Sequence, residues 1–166
     1  MKKLWSLGFC VLALSLLSAC GFHLRGQGFD LNKTKVLLQT QMPYADFERS
    51  LKERLSLQGG SWVESINESE LQLGIEQYLV EERVIARDAN GRPSELELIF
   101  KLDYRLGVTG QNYVNGLAPL QLLSSRREFA FDRNLETGQD VEKQRLIRDM
   151  QQDVISRLLL QMAKAQ

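Results

Sequence analysis

Few residues of this 166-residue chain have types and spacing that could do chemistry. Arg87 and Arg92 flank Asp88-Ala89-Asn90-Gly91, and Arg126 and Arg127 form an adjacent pair further along. Clustered guanidinium groups can grip phosphates through paired hydrogen bonds, which is how a phosphorylated glycolipid would be held. Arg87, Arg92, Arg126 and Arg127 are therefore the candidate ligand-binding residues. The plainer reading pairs them, with Arg83, to Glu81, Glu82, Asp88, Glu95 and Glu128 as ordinary surface charges. Only the fold can bring the two groups together.

Catalysis has less to stand on. Two neighbouring carboxylates, Glu81 with Glu82 or Glu95 with Glu97, have the composition of a glycosidase site, but solvated strand positions explain them more simply. His23 is the single histidine and lies close behind Cys20, a poor place for a general base. No nucleophile elbow, zinc-ligand spacing, phosphate loop or dinucleotide fingerprint occurs. The expectation is a chain with no catalytic residue, no metal site and no cofactor.

Cys20 has a chemistry of its own. Lys2 and Lys3 precede an apolar run over residues 4–17, and the segment closes on Leu17-Ser18-Ala19-Cys20. Positive start, apolar middle and small residues before a cleavage point make a secretory signal. The run is too short to span a bilayer, which takes about 20 apolar residues. Its end resembles a bacterial lipobox, in which the thiol is alkylated by a diacylglyceryl group, the chain is cut before the cysteine, and the new amino terminus is acylated. Each buried methylene contributes ~0.8 kcal/mol, so several acyl chains hold where one binds marginally. Gly21, where an aspartate signals inner-membrane retention in enteric-type bacteria, favours the outer membrane. The expected organisation is a removed signal at 1–19, a lipidated tether at 20–33 and a single α+β domain at 34–166.

Without Lys2 and Lys3, the 21 basic residues become 19 against 21 acidic ones. That balance suggests no nucleic-acid partner. Cys10 leaves with the signal and Cys20 carries lipid, so no thiol remains for a disulfide, and stability must come from packing.

The elements that position these residues follow from periodicity. Residues 34–40 read as a short strand. Tyr44, Phe47, Leu51 and Leu55 fall on one helical stripe, with Glu48, Arg49, Lys52 and Glu53 elsewhere. Pro43 sits ahead of them and Gly59-Gly60 behind, so the pattern predicts a helix over 44–57. Residues 61–65 could extend briefly. Leu71, Leu73 and Ile75 alternate with polar neighbours in a strand expected to reach Val84. Asp88-Ala89-Asn90-Gly91 is a hairpin turn. The return strand is the clearest feature, with Leu96, Leu98, Phe100, Leu102, Tyr104, Leu106 and Val108 all at even positions. At ~3.3 Å per residue it extends roughly 45 Å, so it must bend or project beyond the body. A third long strand over 117–131 places Leu120 and Leu122 on one side and Phe129 and Phe131 on the other, which a bulge near 124–127 would reconcile. Asp140 can cap a last helix running to Met162, striped by Ile147, Met150, Val154 and Leu158. The order β-α-β-β-β-α predicts a two-layer α+β sandwich, two amphipathic helices packed on one face of a mostly antiparallel or mixed sheet with long hairpin strands.

The stretch Cys20-Gly21-Phe22-His23-Leu24-Arg25-Gly26 resembles the start of the LptE family of lipopolysaccharide-assembly lipoproteins, which commonly open with Cys-Gly, an aromatic residue and a Leu-Arg pair. The Asn90-Gly91 hairpin before a long alternating strand, the Phe129-Ala130-Phe131-Asp132 strand end and the closing amphipathic helix come in the same order. The resemblance implies a sandwich that plugs the large outer-membrane β-barrel LptD, helps it assemble, passes lipopolysaccharide to the cell surface and binds lipopolysaccharide. The basic positions at the tip differ from the family's, with Ala89 directly before Asn90 and Arg87 and Arg92 as the nearest cations. The alternative of another class is a lipid-anchored scaffold or accessory lipoprotein of a different envelope transport or secretion complex.

Overall fold

Alternation at period two has the consequence that the pattern predicts. In the computed structural model, which describes residues 31–111, 117–131 and 136–166 (backbone only at 136–138), the even-numbered side chains from Leu96 to Leu106 are buried beneath two helices. The elements are β1 (Lys35–Thr40), α1 (Asp46–Leu57), β2 (Ser61–Val63), β3 (Leu71–Arg87), β4 (Pro93–Val108), β5 (Leu120–Ala130) and α2 (Glu136–Lys164). They form a two-layer α+β structure whose sheet order is β2-β1-β3-β4-β5. β1 runs parallel to both β2 and β3, while β3, β4 and β5 are antiparallel in turn. The short segment after Gly60 is thus a strand of its own, pairing Lys35 with Ser61 and Leu37 with Val63.

α1 begins later than the stripe predicts. Tyr44 is 90 % exposed, because the chain first makes a tight turn in which the Ala45 amide donates to the Met42 carbonyl at 3.1 Å. Ala45 is extended, and Asp46 and Glu48 then occupy the first turn, where negative charge suits the helix dipole. Phe47, Leu51 and Leu55 form the buried face. Behind them Gly59 takes a φ of +83°, the left-handed conformation that ends many helices.

α2 begins earlier than expected, so Asp140 lies inside it rather than at its cap. An aspartate inside a helix costs at most ~0.7 kcal/mol against alanine. The extra turn brings Gln139 and Asp140, with Lys143 one turn on, against Leu96, Phe129 and Phe131. With 29 residues at ~1.5 Å each the helix is roughly 43 Å long, enough to cover most of the long hairpin. Only the tip beyond Val84 and Ile85, both exposed, projects past it.

The bulge expected in β5 does not occur. Pairing between β4 and β5 is unbroken from Glu95 opposite Ala130 to Arg105 opposite Leu120. Leu120 and Leu122 simply face away from the helices and stay exposed, while Leu123, Ser125 and Phe129 face toward them. The irregularities fall in β3 instead, between Ile75 and Gln77, between Val84 and Ala86, and between Ala86 and Arg87.

One core joins both helices to the sheet. Phe47, Tyr78 and Phe100 cluster with ring centroids 5.0 to 5.9 Å apart, and Met150, Val154, Leu158 and Met162 close the other half. Leu31, inside the expected tether, is fully buried in this core. Among the described residues no helix is long and apolar enough to cross a membrane, which says nothing about strands.

Candidate functional site

The sheet has one face under the helices and one left open, and the hairpin of β3 and β4 carries that open face to its tip. Odd positions of β4 alternate outward as required for a wet face. They are matched to opposite charges on their neighbours. Lys101 meets Glu81 at 2.6 Å, Arg105 meets Glu76 at 2.7 Å, and Gln77 donates to Asp103 at 2.7 Å. Arg83 donates to Oε2 of Glu97 from Nη2 at 2.6 Å and from Nε at 3.2 Å.

Glu97 departs from the solvated role expected of it. It is 6 % exposed, because the stems of long charged neighbours cover it while their heads reach water. Arg126 approaches its other oxygen at 3.7 Å. Glu48 departs in the same way. Expected on the outside of α1, it is fully buried and accepts from the Thr40 hydroxyl at 3.0 Å and the Tyr78 hydroxyl at 3.2 Å. Burial, followed by the nearby charge of Glu48, pushes the Tyr78 hydroxyl up to about 12. Burial also raises Tyr104, whose hydroxyl donates to Gln121 and contacts Gln161.

The tip is built by Asp88. Its carboxylate accepts from the amides of Asn90 at 2.8 Å and Arg92 at 2.9 Å, and its own amide donates to the Arg92 carbonyl. Gly91, at a φ of +76°, supplies the left-handed residue that closes a three-residue hairpin loop.

The four candidate arginines are not gathered into one cluster. Arg87 Nη1 donates to the Gly91 carbonyl at 2.9 Å, and Arg92 stands exposed beside it. Arg126 lies opposite Ile99, seven residues from Arg92, or roughly 24 Å along an extended strand. Arg127 faces the helix side, with Nη1 3.4 Å from the Ser125 hydroxyl and 2.8 Å from the Arg126 carbonyl. Cys20 lies outside the described residues.

A cleft of about 490 Å³ also opens on this face, lined by Gln39, Gln72, Gly74, Glu76, Arg105 and Leu117 among others. A Cβ built on Gly74 would lie 3.8 Å from that of Arg105, an ordinary contact, so crowding does not demand glycine there. Its missing side chain instead leaves the sheet surface bare. A lone glycine inside a strand pattern is the sequence signal that could have pointed to this cleft, and the strand alternation passed over it. Among the described residues no group of acidic, histidine or cysteine side chains is arranged to hold a metal.

Solved structures with this architecture include bacterial lipoproteins. Rare lipoprotein B of Shewanella oneidensis superposes with a TM-score of 0.70 at 21% identity, over 79% of this chain and 95% of that one. A lipoprotein B of Nitrosomonas europaea gives 0.69 at 26% identity, over 86% and 90%. A minor lipoprotein of Acinetobacter baumannii gives 0.53 at 18% identity, over 79% and 88%. No curated protein matches in sequence. The family model for LptE, lipopolysaccharide-assembly, matches residues 34–162, from the start of β1 through nearly all of α2. The chain belongs to the LptE lipopolysaccharide-assembly family.

Proposed function

We propose that this protein is an outer-membrane lipoprotein, anchored through lipid on Cys20, that seats inside the LptD β-barrel, helps it assemble and serves delivery of lipopolysaccharide to the cell surface. Family membership across both layers of the fold is the observation that carries the reading. The open face supports it physically. A sheet surface whose cations and anions are paired across strands stays hydrated without a second layer, as the polar interior of a large barrel requires. The role uses no chemistry beyond binding. Arg87, Arg92, Arg126 and Arg127 remain the proposed contacts for the phosphates of lipopolysaccharide. Arg87 and Arg92 are the best placed of these, since the tip extends past the helices.

Depletion tests the reading. Removing the protein is expected to lower both the level of folded barrel and the lipopolysaccharide on the cell surface. The intact gene should restore both, and a Cys20→Ala version should leave the chain unanchored. Normal barrel and surface lipopolysaccharide after depletion would overturn it.

A further inference from the structure

The sheet ends on one side at β5, whose one strand neighbour among the described residues is β4. The amide of Phe131 donates to the Ser94 carbonyl at 2.8 Å, so odd-numbered residues of this segment turn their backbone groups toward β4. Alternation turns those of Leu120, Leu122, Ser124 and Arg126 outward, onto an edge that meets no further strand among the described residues. Two side chains bear this out. Arg157 of α2 donates to the Ser124 carbonyl at 2.6 Å, and Arg127 donates to the Arg126 carbonyl at 2.8 Å.

Cations on edge carbonyls are a means of refusing further strands. Among the described residues they cover the second half of the edge, Arg105 takes the Ala118 carbonyl just ahead of it at 2.7 Å, and the outward backbone groups of Leu120 and Leu122 between them stay bare. At that bare stretch Leu120 and Leu122 are 54 % and 58 % exposed on the open face. An apolar ladder beside unpaired N–H and C=O groups is the recognition surface for an added strand.

We infer that residues 120–122 of β5 receive an extended segment of a partner protein by strand addition, and that Arg127 and Arg157 fix where the added strand stops. The segment is apolar where it meets Leu120 and Leu122. Beyond them it meets Arg126 and Arg157, which already lean on Glu97 and Asp153, and Arg127, which has no carboxylate partner among the described residues, so charge complementarity calls for an acidic residue at that end. A second copy of this chain fits poorly. Pairing β5 with itself around Gln121 would set residues 115 and 116 against Arg127 and Arg126, and residues 111–119 hold no aspartate or glutamate to meet those cations. The inference rests on the proposed docking with a barrel and narrows it to one contact.

The test is hydrogen exchange on the full lipidated chain, purified alone and with the barrel that accompanies it from outer membranes. The Leu120 and Leu122 amides should exchange at least tenfold more slowly in the complex. Leu122→Pro is the companion variant, because proline is tolerated where an edge N–H faces solvent. It should leave the isolated protein's melting temperature nearly unchanged and reduce barrel recovery at least tenfold. If the variant does not fold, the wild-type exchange data decide alone. A barrel that is recovered while both amides stay fast overturns the inference and leaves the docking reading intact. Recovery of no barrel overturns both. Protection that grows with concentration in the isolated protein gives the edge to a second copy and overturns the proposal.

Discussion

Arg126 and Arg127 are consecutive in sequence and lie on opposite faces of β5, Arg126 toward Glu97 on the open face and Arg127 beside the Ser125 hydroxyl on the helix face. They cannot grip one phosphate as a pair. Arg87→Ala and Arg92→Ala should each weaken lipopolysaccharide binding by the soluble chain about three- to tenfold, or roughly 0.7–1.4 kcal/mol. Arg127→Ala, which removes a lesser contact on the helix face, should weaken it only about twofold. Titration calorimetry measures all three. Unchanged binding in both tip variants would remove the hairpin from the ligand site.

Arg83 and Glu97 form an uneven pair, the arginine side chain 58 % exposed and the carboxylate 8 %. Removing Arg83 strands a buried charge with Arg126 as its one remaining, more distant cation among the described residues. Arg83→Ala should therefore cost about 1–3 kcal/mol. Arg126→Ala should cost about 1 kcal/mol or less, as expected of an exposed pair. Urea denaturation of both variants reads the difference, and equal losses would contradict the geometry.

Tyr78 makes stability depend on alkaline pH. Its hydroxyl titrates near 12 in the fold against 10.0 when free, so the unfolded chain releases the proton first. The contribution is complete below pH 10 and disappears as pH rises from 10 to 12. Tyr78→Phe should flatten part of that slope while losing about 1 kcal/mol at neutral pH with the bond to Glu48. Tyr104, also raised, keeps the rest. Denaturant midpoints between pH 9 and 11.5 are the measurement, and an unaltered slope would contradict the assignment.

Gly60 and Gly91 should fail in different ways. A Cβ at Gly60 would lie 2.7 Å from Leu55 Cδ1, forcing a buried leucine to move at a cost of about 1–3 kcal/mol. At Gly91 no atom lies within 4 Å of the built Cβ, so alanine costs only the left-handed backbone, about 1–2 kcal/mol. Shaving the neighbour tells them apart. Leu55→Val should soften the penalty of Gly60→Ala and leave that of Gly91→Ala unchanged.

What the sequence made legible was whatever repeats locally. The even-numbered residues of β4 announced their burial, the stripe of α1 its packing face, and Asp88 to Gly91 their turn. Contacts between distant segments stayed hidden. Glu97 looks like any outward strand residue until Arg83 and Arg126 close over it, and Glu48 like any helix-surface glutamate until Thr40 and Tyr78 meet it. The β5 bulge was expected because Leu120 and Leu122 were assumed to seek the core. The candidate arginines were legible as residue types, but their faces depend on strand parity and on a register of pairing that no local pattern fixes.

The most direct test of the central claim is a detergent pull-down from outer membranes, using a C-terminal tag that leaves Cys20 free, with mass spectrometry of what remains bound. Stoichiometric recovery of one large outer-membrane β-barrel is the predicted result. Recovery of no barrel, or of a different envelope complex, would contradict it.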